Sequence, residues 1–316
     1  MTHSAKADLL LVIVTLLAAV SWIMSKEAVM IMPPLLFMGL RFLLASGLLA
    51  VIGWQQLRQL DSYAIKRSMT AGIVFALGMS LWVMGLFTGT HVGEGAFLTS
   101  LGVVLVPVVG RLLFAEEQPK SNWLALPFAI AGLALLSLKN GFHPEVGQWF
   151  YVTAAFVFAL FYRLNTLAAN QTVLQLANGQ QQVVAGVPPI ALTSIVLAMV
   201  GVVAMLISGF FEPWQKTFNH FSGAMLGWIV ASAIIGTAAR FLIQTYAQSL
   251  SHHTHGVVIM VVEPVWVALL AAAWYGEQMS LQQLVGCSLI LLSLLVSRAK
   301  ALKALLRLEG DRKSTR

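Results

Sequence analysis

The chain has 316 residues, 59% of them hydrophobic and only 10% charged, with a mean hydropathy of +0.83 and a net charge of +7. So little charge excludes a soluble domain of this size, and the positive balance, which in a soluble protein would suggest nucleic acid, here belongs to a membrane face. The single cysteine, Cys287, lies in an apolar run and excludes disulfides and cysteine-ligated metal sites.

A bilayer span needs about 20 apolar residues to cross roughly 30 Å of hydrocarbon. Ten stretches qualify, and helices are predicted at 8–31, 34–54, 68–88, 93–114, 121–138, 147–165, 184–209, 222–246, 255–275 and 280–298. Lys6 followed by an apolar run and Ala18-Ala19-Val20-Ser21 imitates a cleaved leader, but the run continues to Met32 and reads as a first span. Trp22 sits well inside it, and Lys26 and Glu27 lie in its outer part. After Pro33-Pro34 the second span carries Arg41 in its outer third. The short turn makes the two helices antiparallel neighbours, so Arg41 and Glu27 are expected to pair, either as a static lock on the hairpin or as an outer gate.

Trp82 lies inside the third span, and from its end into the fourth span Gly85, Gly89 and Gly93 recur at every fourth residue, a spacing that lets helices approach closely. His91-Val92-Gly93-Glu94-Gly95 opens the fourth span, where Glu94 suits the positive end of the helix dipole. Tyr162 belongs to the sixth span. The eighth ends with Arg240, Gln244 and Gln248, one polar stripe at four-residue spacing, which must face protein or water rather than lipid. His252, His253 and His255 lack an acidic or cysteine partner nearby and are given no metal role. In the ninth span Glu263 is the deepest charge. Pro264 kinks the helix and frees carbonyls beside it, and Trp266 follows. A charge at that depth costs about 2.5–3.5 kcal/mol on the translocon scale. Glu263 either takes a proton or a substrate ammonium group, or is a structural group bonded to a neighbouring helix.

The second half echoes the first. His252-His253-Thr254-His255-Gly256 corresponds to the His91 segment, and Gly276-Glu277-Gln278 to Glu116-Glu117-Gln118. With five spans in each half, the second enters the membrane upside down, the architecture of secondary transporters. The halves are expected at 1–142 and 143–298, with a basic tail at 299–316 whose residues 299–308 read as an amphipathic helix on the inner leaflet. With the N-terminus inside, fifteen basic residues fall on the cytoplasmic side and only Lys26, Lys139 and Lys216 outside, which places both termini in the cytoplasm of a multi-pass plasma-membrane protein, a bacterial inner membrane by expectation. No Walker loop, Gly-x-Ser-x-Gly or His-Glu-x-x-His pattern occurs.

Phe97 to Pro107 followed by Glu116, Pro33 to Arg41-Phe42, Gln244-Thr245-Tyr246-Ala247-Gln248, Glu263-Pro264 and Gly276-Glu277 together resemble the EamA-like branch of the drug/metabolite transporter superfamily over about residues 8–298. The order and spacing of these pieces make the match specific. The resemblance implies an all-α polytopic protein of ten helices in a five-plus-five inverted repeat, with a central cavity bounded by spans one, three, four, six, eight and nine. It also implies peripheral spans five and ten that in some members support homodimers. Members export or exchange amino acids, other small metabolites and drug-like compounds. In span one the family's Trp-Gly pair is replaced by Ala18-Ala19, with Trp22 one turn later.

The sequence is therefore read as a secondary transporter working by alternating access on a small polar or amphipathic metabolite, an amino acid being the suggested case. Trp22, Trp82, Tyr162 and Trp266 are expected to wall its site, Arg240, Gln244 and Gln248 to bond substrate, Glu263 to take a coupling proton or an ammonium group, and Glu27 and Arg41 to close it outside. Partners are a small molecule and the lipid bilayer; no cofactor, metal or nucleic acid is expected. An exporter of lipophilic cationic drugs is the alternative, and a membrane-embedded enzyme or a scaffold is a more distant one.

Overall fold

The computed structural model describes residues 3–115, 117, 120–137, 145–175, 181–250 and 259–297. The chain folds as helices that alternate in direction. α1 (His3–Ile31) ends at Pro33, and α2 (Pro34–Ile52) starts on a proline, whose missing N–H costs nothing at a helix start. A short α3 (Trp54–Arg58) leads to α4 (Ser62–Thr88), which begins earlier than the predicted 68 because Asp61 caps it, its side chain accepting from the Ala64 N–H at 2.7 Å. α5 (Val92–Phe114), α6 (Lys120–Ser137) and α7 (Val146–Ala169) follow.

Between α7 and the next span stands an antiparallel hairpin, β1 (Thr172–Gln175) and β2 (Gln181–Val184), which replaces the predicted helix start at 184. The helix begins only at Pro189, as α8 (Pro189–Phe211), because Pro188-Pro189 cannot extend a helix backwards. After the short α9 (Trp214–Asn219), the eighth span runs as α10 (Gly223–Ala233), a π-helical turn Ile234–Ala239 and α11 (Arg240–Leu250). A 3-10 turn Met260–Val262 enters α12 (Glu263–Tyr275), which ends on Gly276 in the left-handed region (φ 66), and α13 (Leu281–Ser297) closes the described chain.

Seven of these helices are long and apolar enough to cross a membrane; three shorter apolar ones, Trp123–Leu136, Met260–Tyr275 and Leu281–Ser297, stand where spans five, nine and ten were expected. Exposed side chains along them are themselves apolar, such as Leu48, Val51, Leu77, Phe156, Leu269 and Leu292, the reverse of a soluble surface. The protein is an all-α polytopic membrane protein apart from its hairpin.

Hydrogen bonds fix the helix directions. Thr90, just before α5, bonds Glu145, just before α7, whereas Arg67 near the start of α4 donates to the Ala168 carbonyl near the end of α7. Lys26 near the end of α1 meets the end of α4. α1 thus ends, and α7 begins, at the end of the bundle that holds Pro33. Several of the larger contacts between helices come in matched pairs, although α5–α13, α5–α6 and α1–α4 lack counterparts of similar extent. Numbering spans one to five as α1, α2, α4, α5, α6 and six to ten as α7, α8, α10–α11, α12, α13, the pair α4–α7 is matched by α1–α11. In the same way α5–α7 is matched by α1–α12, and α4–α8 by α2–α10. α2–α8, α5–α12 and α6–α13 map onto themselves. That is the pattern a two-fold relation between the halves produces. Of the glycines spaced along spans three and four, Gly89 faces Gly147 so closely that an added Cβ on Gly147 would meet the Gly89 Cα at 2.5 Å, while Gly85 lies under the Tyr151 ring and Gly93 against Ala268.

Candidate functional site

The centre of the bundle is aromatic. Trp22 of α1 and Trp82 of α4 meet edge to face with ring centroids 4.8 Å apart, and Tyr151 of α7 lies 6.0 Å from Trp22; all three are buried. Tyr151 was not singled out in the sequence, although the small residues that make room for its ring, Gly85 and Gly95, are visible there. The predicted Tyr162 is not part of this group. It lies eleven residues further along α7, about 16 Å away at helical rise, tilted against the rings of Phe158 and Phe161, and is 40% exposed. Trp266 is partly buried against the central core.

Arg41 does not pair with Glu27. Its guanidinium is buried and donates three times to hydroxyls: Nε to Thr237 at 2.8 Å, and the two terminal nitrogens to Ser25 and Ser21 at 2.5 Å each. Ser21 and Ser25 are one turn apart on α1 and face α2. Glu27, two residues beyond, is rotated by about 200° and points elsewhere. Thr237 belongs to the π-helical turn, and Gly236 beside it admits the close approach, since a Cβ there would meet Ser21 Oγ at 2.7 Å. Phe37 and Phe42 offer their rings to the cation at 5.8 and 5.3 Å. π-turns of this kind frequently mark functional positions.

Glu263 is held by the neighbouring span. Arg240 of α11 donates to it at 3.2 Å, and the two side chains remain 22% and 21% exposed. Arg240 also lies 5.7 Å from the Phe241 ring, and its Nε is buried without a hydrogen-bond partner. Gln244, one turn on, is half-buried, and Gln248 lies in α11 with its side chain outside the described set. At about 1.5 Å per residue Glu263 stands roughly 18 Å from the Tyr275 end of α12, near mid-depth.

At the Pro33 end three charges, Lys26, Glu212 and Glu277, bond the backbone of helix termini. Lys26 donates to the Leu86 and Gly89 carbonyls at 2.7 and 2.9 Å, satisfying the end of α4. Glu277 accepts from the Val92 and Gly93 N–H groups at 2.8 and 3.1 Å, and Glu212 from Leu35 and Leu36 at 2.9 Å each, so each carboxylate caps a helix of the other half. Glu27 accepts from the Trp274 indole at 3.0 Å, and the Tyr275 hydroxyl donates to the Ile23 carbonyl at 3.3 Å. Sequence reading marked Glu277 as a repeat signal and missed that it reaches the opposite repeat. Glu94 is buried and bonded to Gln148 and Gln283. His252, His253, His255, the tail 299–316 and the junction at 142–143 lie outside the described residues. Among the described residues no group of three or more His, Cys, Asp or Glu side chains is placed to hold a metal.

Comparison with known proteins gives a consistent result. The model of a family described as EamA-like transporters matches the chain twice, over residues 5–138 and 149–299. A protein of Archaeoglobus fulgidus described as an uncharacterized transporter is 23% identical over 290 residues, covering 92% of this chain and 85% of its own. A solved structure titled only as the crystal structure of a protein superposes with a TM-score of 0.59 at 18% identity, over 95% of this chain and 99% of that one, a likeness of fold.

Proposed function

The chain belongs to the EamA-like transporter family, and from that premise we propose that it is a secondary transporter of a small zwitterionic or polar metabolite, an amino acid being the simplest case. It works by alternating access in the plasma membrane with both termini in the cytoplasm. The halves, divided near residue 142, act as oppositely oriented bundles that rock about the Trp22–Trp82–Tyr151 centre, a motion supported by the two-fold contact pattern and by the opposite directions of α1 and α7. The contacts at the Pro33 end, taken as the outer side from the charge bias, correspond to a state closed outside.

The observation that carries the substrate class is the Arg240–Glu263 pair. Both signs stand near mid-depth in an apolar bundle, bonded to each other and still about a fifth exposed. An ion pair in that setting is retained where water or a polar ligand reaches it, and a zwitterion exchanges one partner for its carboxylate and the other for its ammonium group. Gln244 lies beside the pair on the same helix face. Uniformly apolar walls would favour lipophilic cations instead, and Arg240 opposes them by like charge.

Proteoliposomes holding the purified protein and a radiolabelled amino-acid hydrolysate inside give the test. Efflux and counterflow above protein-free vesicles are expected, with no comparable movement of tetraphenylphosphonium. Movement of the cation alone would replace the substrate class, and movement of neither would overturn the reading.

A further inference from the structure

Glu94 is used by nothing described so far. It lies in the first turn of α5 at the Pro33 end and is 4% exposed. Its carboxyl accepts from the Gln148 side-chain amide on α7 and from Gln283 Nε2 on α13 at 3.0 Å; both donors are neutral, and among the described residues no lysine or arginine pairs with it. A buried carboxylate is ordinarily matched by a cation or a metal. Beside it is a cavity of about 10 Å³, room for a single water, lined by Thr90, His91, Glu145, Gln148 and Tyr151. Two atoms of that lining, His91 Nδ1 and Gln148 Oε1, are buried with no hydrogen-bond partner.

Resting on the transport reading above, we propose that Glu94 is the group through which transport couples to a proton gradient. Glu263 suits that role less well, because Arg240 compensates its charge. Around Glu94 both protonation states can be satisfied. Ionised, it accepts the two amide N–H groups. When a proton arrives from the aqueous side through the cavity, the neutral acid donates its O–H to Gln148 Oε1, the acceptor now idle, once that amide turns over. The proton leaves by the same carboxyl when the helices part on the other side. The titratable groups that face it are His91 before α5, Glu145 just before α7, Tyr151 from α7, Cys287 from α13 and, through Tyr151, Glu277 from the α12–α13 turn. The route to the substrate region is short, since Tyr151 lines this cavity and packs against Trp22.

Infrared difference spectra of the purified protein between about pH 5 and pH 9 test this without a known substrate, since a protonated buried carboxyl gives its own C=O band. The band is expected in the wild-type protein, absent in Glu94→Gln and kept in Glu263→Gln. Gln283→Leu, which leaves Glu94 in place but removes one donor, is expected to shift the pH at which the band appears. A spectrum that neither loses the band in Glu94→Gln nor moves it in Gln283→Leu overturns the proposal, whereas absence of amino-acid flux with the Glu94 band intact would overturn only the transport reading.

Discussion

The charges at the Pro33 end and those at mid-depth are solved in opposite ways. Lys26, Glu212 and Glu277 are each spent on the free backbone groups of a helix terminus, where the dipole and the unpaired N–H or C=O groups already ask for that sign. Arg240, just after the π-turn inside the eighth span, and Glu263, where a 3-10 turn passes into α12 of the ninth, cap no helix of the other half and bond each other while staying partly wet. Charges of the first kind hold helices together; those of the second remain free to trade partners. Substitutions should therefore divide, the helix-capping charges Lys26, Glu212 and Glu277 altering stability and the mid-depth pair altering transport.

The largest stability effect is expected at Glu277. Glu277→Ala removes a carboxylate from two backbone donors at the start of α5, and bonds to a charged group are worth about 1.5–3 kcal/mol each, so a loss of about 3 kcal/mol should appear as a clearly lowered midpoint in thermal unfolding. Glu277→Gln, which still accepts one of the two bonds, should recover part of it. If both variants melt with the wild-type protein, the end charges are not structural and the contrast fails.

That carboxylate also shows what a sequence can and cannot give. The repeated Gly276-Glu277 and Glu116-Glu117 turns announced the two halves, and runs of about 20 apolar residues announced the spans, because both depend on order along one strand of chain. Where Glu277 binds does not: Val92 and Gly93 lie 185 and 184 residues away. Arg41 is the sharper case. Proximity in sequence suggested Glu27, but helix rotation sends Glu27 to Trp274, and two of the three hydroxyls that hold Arg41 are serines whose presence in an apolar span carries no obvious signal. The hairpin was missed for another reason. Polar residues around the β-branched Thr172, Val173, Val183 and Val184 resemble a loop, and only Asn178-Gly179 between the strands pointed to a hairpin.

Arg41 is the intermediate test, a buried cation that bonds neither a terminus nor a carboxylate. Arg41→Lys keeps the charge but loses the planar fork that reaches α1 and the π-turn together, and at about 1 kcal/mol for a typical bond the loss of one or two bonds should cost about 1–2 kcal/mol in thermal unfolding. Ser21→Ala should behave as a weaker version of the same change. An Arg41→Lys protein as stable as the wild type would mean that the π-turn is set by something other than this cradle.

Glu263→Gln sits lower in stability and higher in function. With a fifth of each side chain exposed, the pair should contribute about 1 kcal/mol, between the values for surface and fully buried pairs. Flux of the amino-acid hydrolysate, however, should fall at least about tenfold, the equivalent of roughly 1.4 kcal/mol in ligand interaction. The double variant Arg240→Ala/Glu263→Ala should be more stable than Glu263→Ala alone, because the single change leaves a cation unpaired. Equal loss of stability and no loss of flux would move this pair into the structural class.

The smallest effect belongs to Glu27, and it distinguishes a latch from a brace. Its bond to the Trp274 indole joins the end of α1 to the end of α12 across the two halves, at an exposed position where one hydrogen bond is worth about 0.5–1 kcal/mol. Glu27→Ala should hardly move the unfolding midpoint. If the Pro33 end opens during transport, that same bond must break in every cycle, so removing it should change the counterflow rate of the hydrolysate while leaving the melting curve in place. Trp274→Phe, which keeps the ring and deletes the donor, should give the same rate change without adding a cavity. Unaltered counterflow and unaltered stability in both variants would mean that α1 and α12 do not separate at this contact, and the opening would have to be sought at Lys26 and the end of α4 instead.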